Sequence, residues 1–141
     1  MRIKPSKVIE SNEIKTSPIS NAYITFSFQH FDNTSDKFTI NECEIKYFTA
    51  VLERLKGISS LRINEFTKNR SKLIRSHSIS WDDTTEKDGF VCLNKSLRDY
   101  ANQVSFQFQI TANEHGRIHG FISDNIFYVV WFDPFHKLYS K

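Results

Sequence analysis

A chain of 141 residues is long enough for one domain with a single core and too short for two ordinary ones. Its 39% hydrophobic and 25% charged residues exclude a disordered chain and a coiled coil, and 13 Phe, 5 Tyr and 2 Trp beside 4 Gly and 3 Pro promise a ring-rich core. The formal charge of +3 is too small to name a polyanion partner before its distribution is known.

Residues 1–20 mix Lys, Ser, Asn and Pro with isolated Ile and Val, and read as an arm or tail ahead of a single domain over residues 21–141. The first 15 residues lack the apolar run of a signal peptide, and the longest apolar stretch, 126–132, falls far short of the roughly 20 residues of a membrane helix. Cys43 and Cys92 stand far apart with no CxxC, which supports neither a disulfide framework nor a four-cysteine zinc site. A cytoplasmic protein with no membrane partner is the expectation.

After Asn21 the sequence AYITFSFQHF alternates Ile24, Phe26, Phe28 and His30 with Tyr23, Thr25, Ser27 and Gln29, the period of a strand with one buried face. His30 falls on the Phe face as a core-edge histidine. Thr39-Ile-Asn-Glu42 is a capping box, and predicts a helix over 42–56 that buries Ile45, Phe48, Leu52 and Leu55 before Gly57 stops it. Ser59 or Ser60 is placed to cap a second, shorter helix, so the two form a hairpin. Residues 67–103 are the least readable part. Within them 82–88 read as a solvated loop, and 94–100 as a short helical turn with Leu97 inward, ended by Asn102. Three strands follow, 104–110, 116–123 and 125–133, the last two joined by the turn Asp124-Asn125. This order predicts an α+β domain with an antiparallel sheet of about four strands and the helical hairpin on one face.

Three segments carry candidate chemistry. Lys68, Arg70, Lys72, Arg75 and His77, with Arg54, Lys56 and Arg62 before them, hold Glu65 as the sole acid between Arg54 and Trp81, a basic tract suited to nucleic-acid phosphates. Its bland alternative is a solvated face opposite the acidic loop. In His115-Gly-Arg117-Ile-His119-Gly, an extended strand sets His115, Arg117 and His119 on one side. Imidazoles that move protons and a guanidinium that grips phosphate are the groups needed to cleave RNA through its own 2′-hydroxyl without a metal. In Asp133-Pro-Phe-His136-Lys137-Leu-Tyr139, Pro134 ends the strand and leaves His136, Lys137 and Tyr139 on a short tail near the sheet edge. There Tyr139 is a candidate acid or stacking ring, Lys137 a phosphate contact, and Asp133 a partner that orients His136 or His119. The histidines lack HExxH-type spacing, so neither a metal nor another cofactor is expected.

Residues 119–139, HGFISDNIFYVVWFDPFHKLY, with 69–77, NRSKLIRSH, and 84–87, TTEK, resemble a family of short bacterial proteins of unassigned activity often found on mobile elements. That likeness spans most of residues 23–139. More remotely, the helical hairpin followed by a meander ending in FHKLY is similar to the RelE/ParE-like toxins, whose RelE branch cleaves mRNA on the ribosome and whose ParE branch inhibits gyrase. The resemblance implies catalytic roles for Arg117, His119, His136 and Tyr139, with Lys137 where the pattern usually has Arg. It implies RNA or the ribosome as partner and an antitoxin protein as a second one. The chain departs from the pattern in its longer middle segment, 67–103, and its N-terminal arm. The leading expectation is a toxin-like ribonuclease that contacts nucleic acid through Lys68, Arg70, Lys72, Arg75, His115 and Lys137. The alternative is a non-catalytic nucleic-acid- or protein-binding module of a mobile-element or phage-defence system.

Overall fold

The computed structural model describes residues 22–68 and 74–139. In chain order they form β1 (Thr25–Ser27), α1 (Ile45–Ile58), α2 (Ile63–Thr67), β2 (His77–Ser78), a 3-10 turn (Trp81–Asp83), α3 (Lys95–Gln103), β3 (Ser105–Gln109), β4 (Arg117–Ser123) and β5 (Ile126–Asp133). The architecture is α+β, with one five-stranded sheet in the order β1-β5-β4-β3-β2. Strands β3, β4 and β5 are antiparallel neighbours, as the alternation of the C-terminal third implies. The expectation of about four antiparallel strands is corrected in two ways: β2 adds an edge, and β1 joins β5 in parallel, with Thr25 opposite Ile126. Parallel pairing needs a long crossover, and α1, α2 and everything up to β4 provide it, a relation that local periodicity does not encode.

Helix α1 forms where expected but starts three residues late. Glu44 occupies the cap position without a side-chain bond, because the Thr39 hydroxyl is engaged in a tighter turn, accepting from the Asn41 amide at 3.2 Å. Its inward face also differs. Tyr47, Val51 and Ile58 are buried, whereas Ile45 is 83% and Leu52 67% exposed and Phe48 faces largely outward. The ring of Tyr47 takes the core position, and the stripe it begins includes Arg54, whose Nε donates to the Ile110 carbonyl at 2.8 Å. Helix α2 is capped by Arg62 rather than by a serine, with the Glu65 carboxylate accepting from the Arg62 amide at 2.7 Å. The helical turn expected over 94–100 is helix α3, with Asn94 as its cap, since Asn94 Oδ1 accepts from the Leu97 amide, and it runs past the expected stop through Asn102. That side chain pins a neighbouring turn, accepting from the Phe90 amide and donating to the Asp88 carbonyl.

The sheet has a core on each face. On one, α1 and α2 pack Tyr47, Val51, Ile58, Ile63 and Phe66 against Phe108, Ile118, Phe127 and Phe132. On the other, Phe38, Ile79, Phe90, Leu93, Ala101 and Leu138 surround Phe121, Val130 and Trp131. Rings dominate both, as the composition foretells: Phe38 stacks on Trp131 at 4.4 Å and Phe108 meets Phe127 edge-on at 5.2 Å. His30 lies against Phe121 and Tyr128 at the rim of the second core.

A β-bulge decides what the second face carries. His119 pairs with Trp131, but the next residue, Gly120, pairs with Val129, so Val130 is an extra residue in β5. Strict alternation would set Asp133 on the helical side with Phe127 and Val129; the extra residue turns Trp131 and Asp133 to the opposite face. Gly120 makes room for this, since a Cβ there would strike the Tyr128 carbonyl and the Phe127 ring.

Candidate active site

Cross-strand partners share a face, and the register lays two polar rows side by side. One runs His77, Gln107, His119 across β2, β3 and β4; the next runs Gln109, Arg117, Asp133 across β3, β4 and β5. The sheet's own ladder thus brings together groups up to 56 positions apart in sequence. Beside the aromatic core they border a cavity of about 320 Å³, lined by His77, Gln107, Arg117, His119, Asp133, His136 and Tyr139.

The last two come from the segment after β5, which is folded around the Asp133 carboxylate. Asp133 Oδ1 accepts from the Lys137 amide at 2.7 Å, and Oδ2 accepts from the Leu138 amide at 2.9 Å and from His119 Nε2 at 3.0 Å. This tight loop forces His136 into a left-handed conformation, φ 57°, and inserts Leu138 fully into the second core. The middle segment straps it down: the Thr85 amide and hydroxyl donate to the carbonyls of Leu138 and Lys137, and the Ser80 amide donates to the Tyr139 hydroxyl at 3.0 Å. The expectation of a tail at the sheet edge is therefore corrected. β5 is an inner strand between β1 and β4, and the residues beyond it are held at both ends.

His119 and Asp133 are each 1% exposed and form a buried pair. Burial pushes the His119 imidazole below its usual value, against the pull of Asp133. Burial alone would raise Asp133, but the bond from His119, that ring's charge and the two backbone amides outweigh it and hold the carboxyl low. At neutral pH the pair is a neutral imidazole on a carboxylate. Nε2 carries the proton given to Asp133, so Nδ1 holds a lone pair, and Nδ1 has no hydrogen-bond partner. Arg117 is lowered chiefly by burial and next by the charge of Arg75; its Nη1 lies 3.5 Å from His77 Nε2, while its Nε is unpartnered.

The pair fixes how stability responds to acid. Both folded-state values are depressed, so the unfolded chain binds more protons in both windows, and acidification destabilises the fold throughout. Melting temperature should begin to fall near pH 6.5, where the unfolded histidine protonates, and fall again below about pH 4 as Asp133 titrates. Thermal melts of His119→Gln across pH should lack the first decline; a wild-type profile flat from pH 7 to 4.5 contradicts this assignment.

Of the residues singled out by sequence, Arg117, His119, His136 and Tyr139 line the one cavity. His115 does not join them. β4 starts at Arg117, and His115, at φ 68° ahead of Gly116, sets its ring 5.6 Å from Tyr47, beside a separate hollow with Cys43, Pro134 and Phe135. Lys137 is exposed, its ammonium 5.8 Å from the Phe135 ring. Lys68 and Arg75 are exposed; Arg70 and Lys72 lie outside the described residues. Sequence reasoning placed His77 only in the basic tract and gave Gln107 no role beyond its alternation with the apolar residues of β3. The available signal was the apolar anchors of the middle segment, Ile79, Trp81, Phe90 and Leu93, which need a surface to bury against and find it on the face of the sheet opposite the helices.

Comparison with protein families, with curated proteins and with solved structures finds no significant match, so the chemistry of the site is read from its own geometry. Among the described residues no helix is long and apolar enough to cross a membrane.

Proposed function

We propose that the protein is a toxin-like ribonuclease that cleaves RNA through the substrate's own 2′-hydroxyl. The observation that carries this reading is the buried Asp133–His119 pair with Nδ1 unpartnered, next to Arg117 in a cavity that His136 and Tyr139 also border. His119 Nδ1 takes the proton of the 2′-hydroxyl, and the resulting oxygen attacks the adjacent phosphorus. His136, as imidazolium, gives its proton to the departing 5′-oxygen, which leaves a 2′,3′-cyclic phosphate and a 5′-hydroxyl. Arg117 holds a non-bridging oxygen as charge builds on it. Tyr139 accepts from the Ser80 amide and so keeps its own hydroxyl proton for the phosphate. Exposed Lys68, Arg75 and Lys137 are suited to phosphates farther along the strand.

The α1–α2 hairpin and the β3–β4–β5 meander support the RelE-like architecture expected from sequence, with RNA as substrate and an antitoxin as the natural inhibitor. Induced expression should arrest bacterial growth and yield new RNA ends carrying cyclic phosphate and 5′-hydroxyl groups. His119→Ala and His136→Ala should each abolish both effects while the protein still melts cooperatively. Arrest without new RNA ends, or ends that persist in both variants, would return the protein to the class of non-catalytic binding modules.

A further inference from the structure

We propose that Gln107 reads the nucleobase immediately 5′ of the scissile phosphate, with adenine the favoured base; this rests on the ribonuclease reading for the position of the ribose. Gln107 is 0% exposed, lies on an inner strand, and lines the cavity, yet neither its side-chain oxygen nor its nitrogen has a hydrogen-bond partner. Buried amides are almost always paired in folded proteins. One with both atoms unpaired at the wall of a cavity is a pair of hydrogen bonds waiting for a ligand.

The chemistry of the amide selects the ligand class. A donor and an acceptor lie side by side in one plane, the complement of a nucleobase edge. A phosphate has no use for the acceptor, and the amide oxygen would repel it. Arg117, in the adjacent row, is the group built for the anion. Position selects the nucleotide. Gln107 stands directly opposite His119 in the β3–β4 register, about 4.8 Å away across the ladder. A ribose that presents its 2′-hydroxyl to His119 therefore carries its own base toward Gln107. Among bases, adenine offers the amino group and ring nitrogen that a glutamine amide most often engages with two bonds. The rings of His77 and Tyr139 border the same cavity and offer surfaces on which a base can stack.

The test uses oligodeoxynucleotides that each contain a single ribonucleotide, A, C, G or U, so that one 2′-hydroxyl defines one cleavable bond. The wild-type protein should cleave the adenosine substrate about tenfold to a hundredfold faster than the poorest. Gln107→Leu should bring the four rates within about threefold of one another, and its melting temperature should equal or exceed that of the wild type, because it removes an unpaired buried amide. Gln107→Met, which keeps the side-chain length, is the second variant if leucine impairs folding. Equal wild-type rates, a preference for another base, or a preference that survives substitution would overturn the proposal. If no substrate is cleaved, adenosine 3′-monophosphate binding separates the two ideas. Binding that is selective over the other three nucleotides and lost in Gln107→Leu keeps the base site while the ribonuclease reading falls; no selective binding sinks both.

Discussion

Asp133→Asn is expected to reduce RNA cleavage by about two to four orders of magnitude while leaving a folded protein. The carboxylate accepts three bonds, from His119 Nε2 and the Leu138 amide on Oδ2 and from the Lys137 amide on Oδ1. An asparagine must put its NH2 at one of those two positions. At the Oδ2 site it presents a donor to His119 Nε2, which drives the ring proton to Nδ1 and removes the lone pair that receives the 2′-hydroxyl proton. At the Oδ1 site it faces the Lys137 N–H and loosens the loop that carries His136. Either outcome lowers the rate, and both set the NH2 against a backbone N–H of the loop, that of Leu138 or of Lys137; the two are separable because only the first moves the His119 proton to Nδ1, which the imidazole nitrogen resonances report. Single-turnover cleavage of a defined oligonucleotide measures the effect; a rate within threefold of wild type would remove Asp133 from the mechanism.

Gly116→Ala is expected to be the most destabilising single-methyl change near the site, by about 2–4 kcal/mol. Gly116 sits at φ 70°, where an L side chain is strained, and a Cβ there would collide with the Asp133 carbonyl and press on the Pro134 backbone. Neither obstacle is the end of a flexible side chain, so the backbone of the site itself has to move. Cleavage should therefore fall alongside stability, in contrast to Gly57→Ala on the exposed end of α1, where nothing lies within 4 Å of the added carbon. Denaturant unfolding of the two variants checks the contrast, and a Gly116→Ala midpoint equal to wild type would refute it.

How much of this was legible in sequence follows the range of each interaction. Helix α1, a helical turn at the start of α3 and the strands β3, β4 and β5 show in local periodicity and turn chemistry, because those signals act within a few residues. The grouping of Arg117 with His119, and the candidacy of His136 and Tyr139, came from the spacing of reactive side chains and a family likeness, and the structure puts all four around one cavity. The inward face of α1 was misread because Tyr47 outcompetes Ile45 and Leu52 for burial, a choice made by the sheet it packs on. The face of Asp133 was hidden by one extra residue, Val130, whose effect exists only relative to the partner strand. Gln107 was hidden for a related reason: alternation tells which residues share a side, and says nothing of whether that side meets water or another layer. The parallel pairing of β1 had no local signal at all.

That pairing sets an order on the birth of the fold. Thr25 cannot meet Ile126 until about a hundred further residues have left the ribosome, and β5 itself needs β4 on its other flank. Long loop closures of this kind slow folding, and here the slow step coincides with assembly of the cavity, because Asp133 ends β5 and the loop bearing His136 and Tyr139 follows it directly. A nascent chain therefore carries α1, α2, α3 and most of its basic residues before it carries the Asp133–His119 pair. Whatever the cavity does is thus withheld until β5 has emerged and paired, an interval during which a partner can capture the partly folded product.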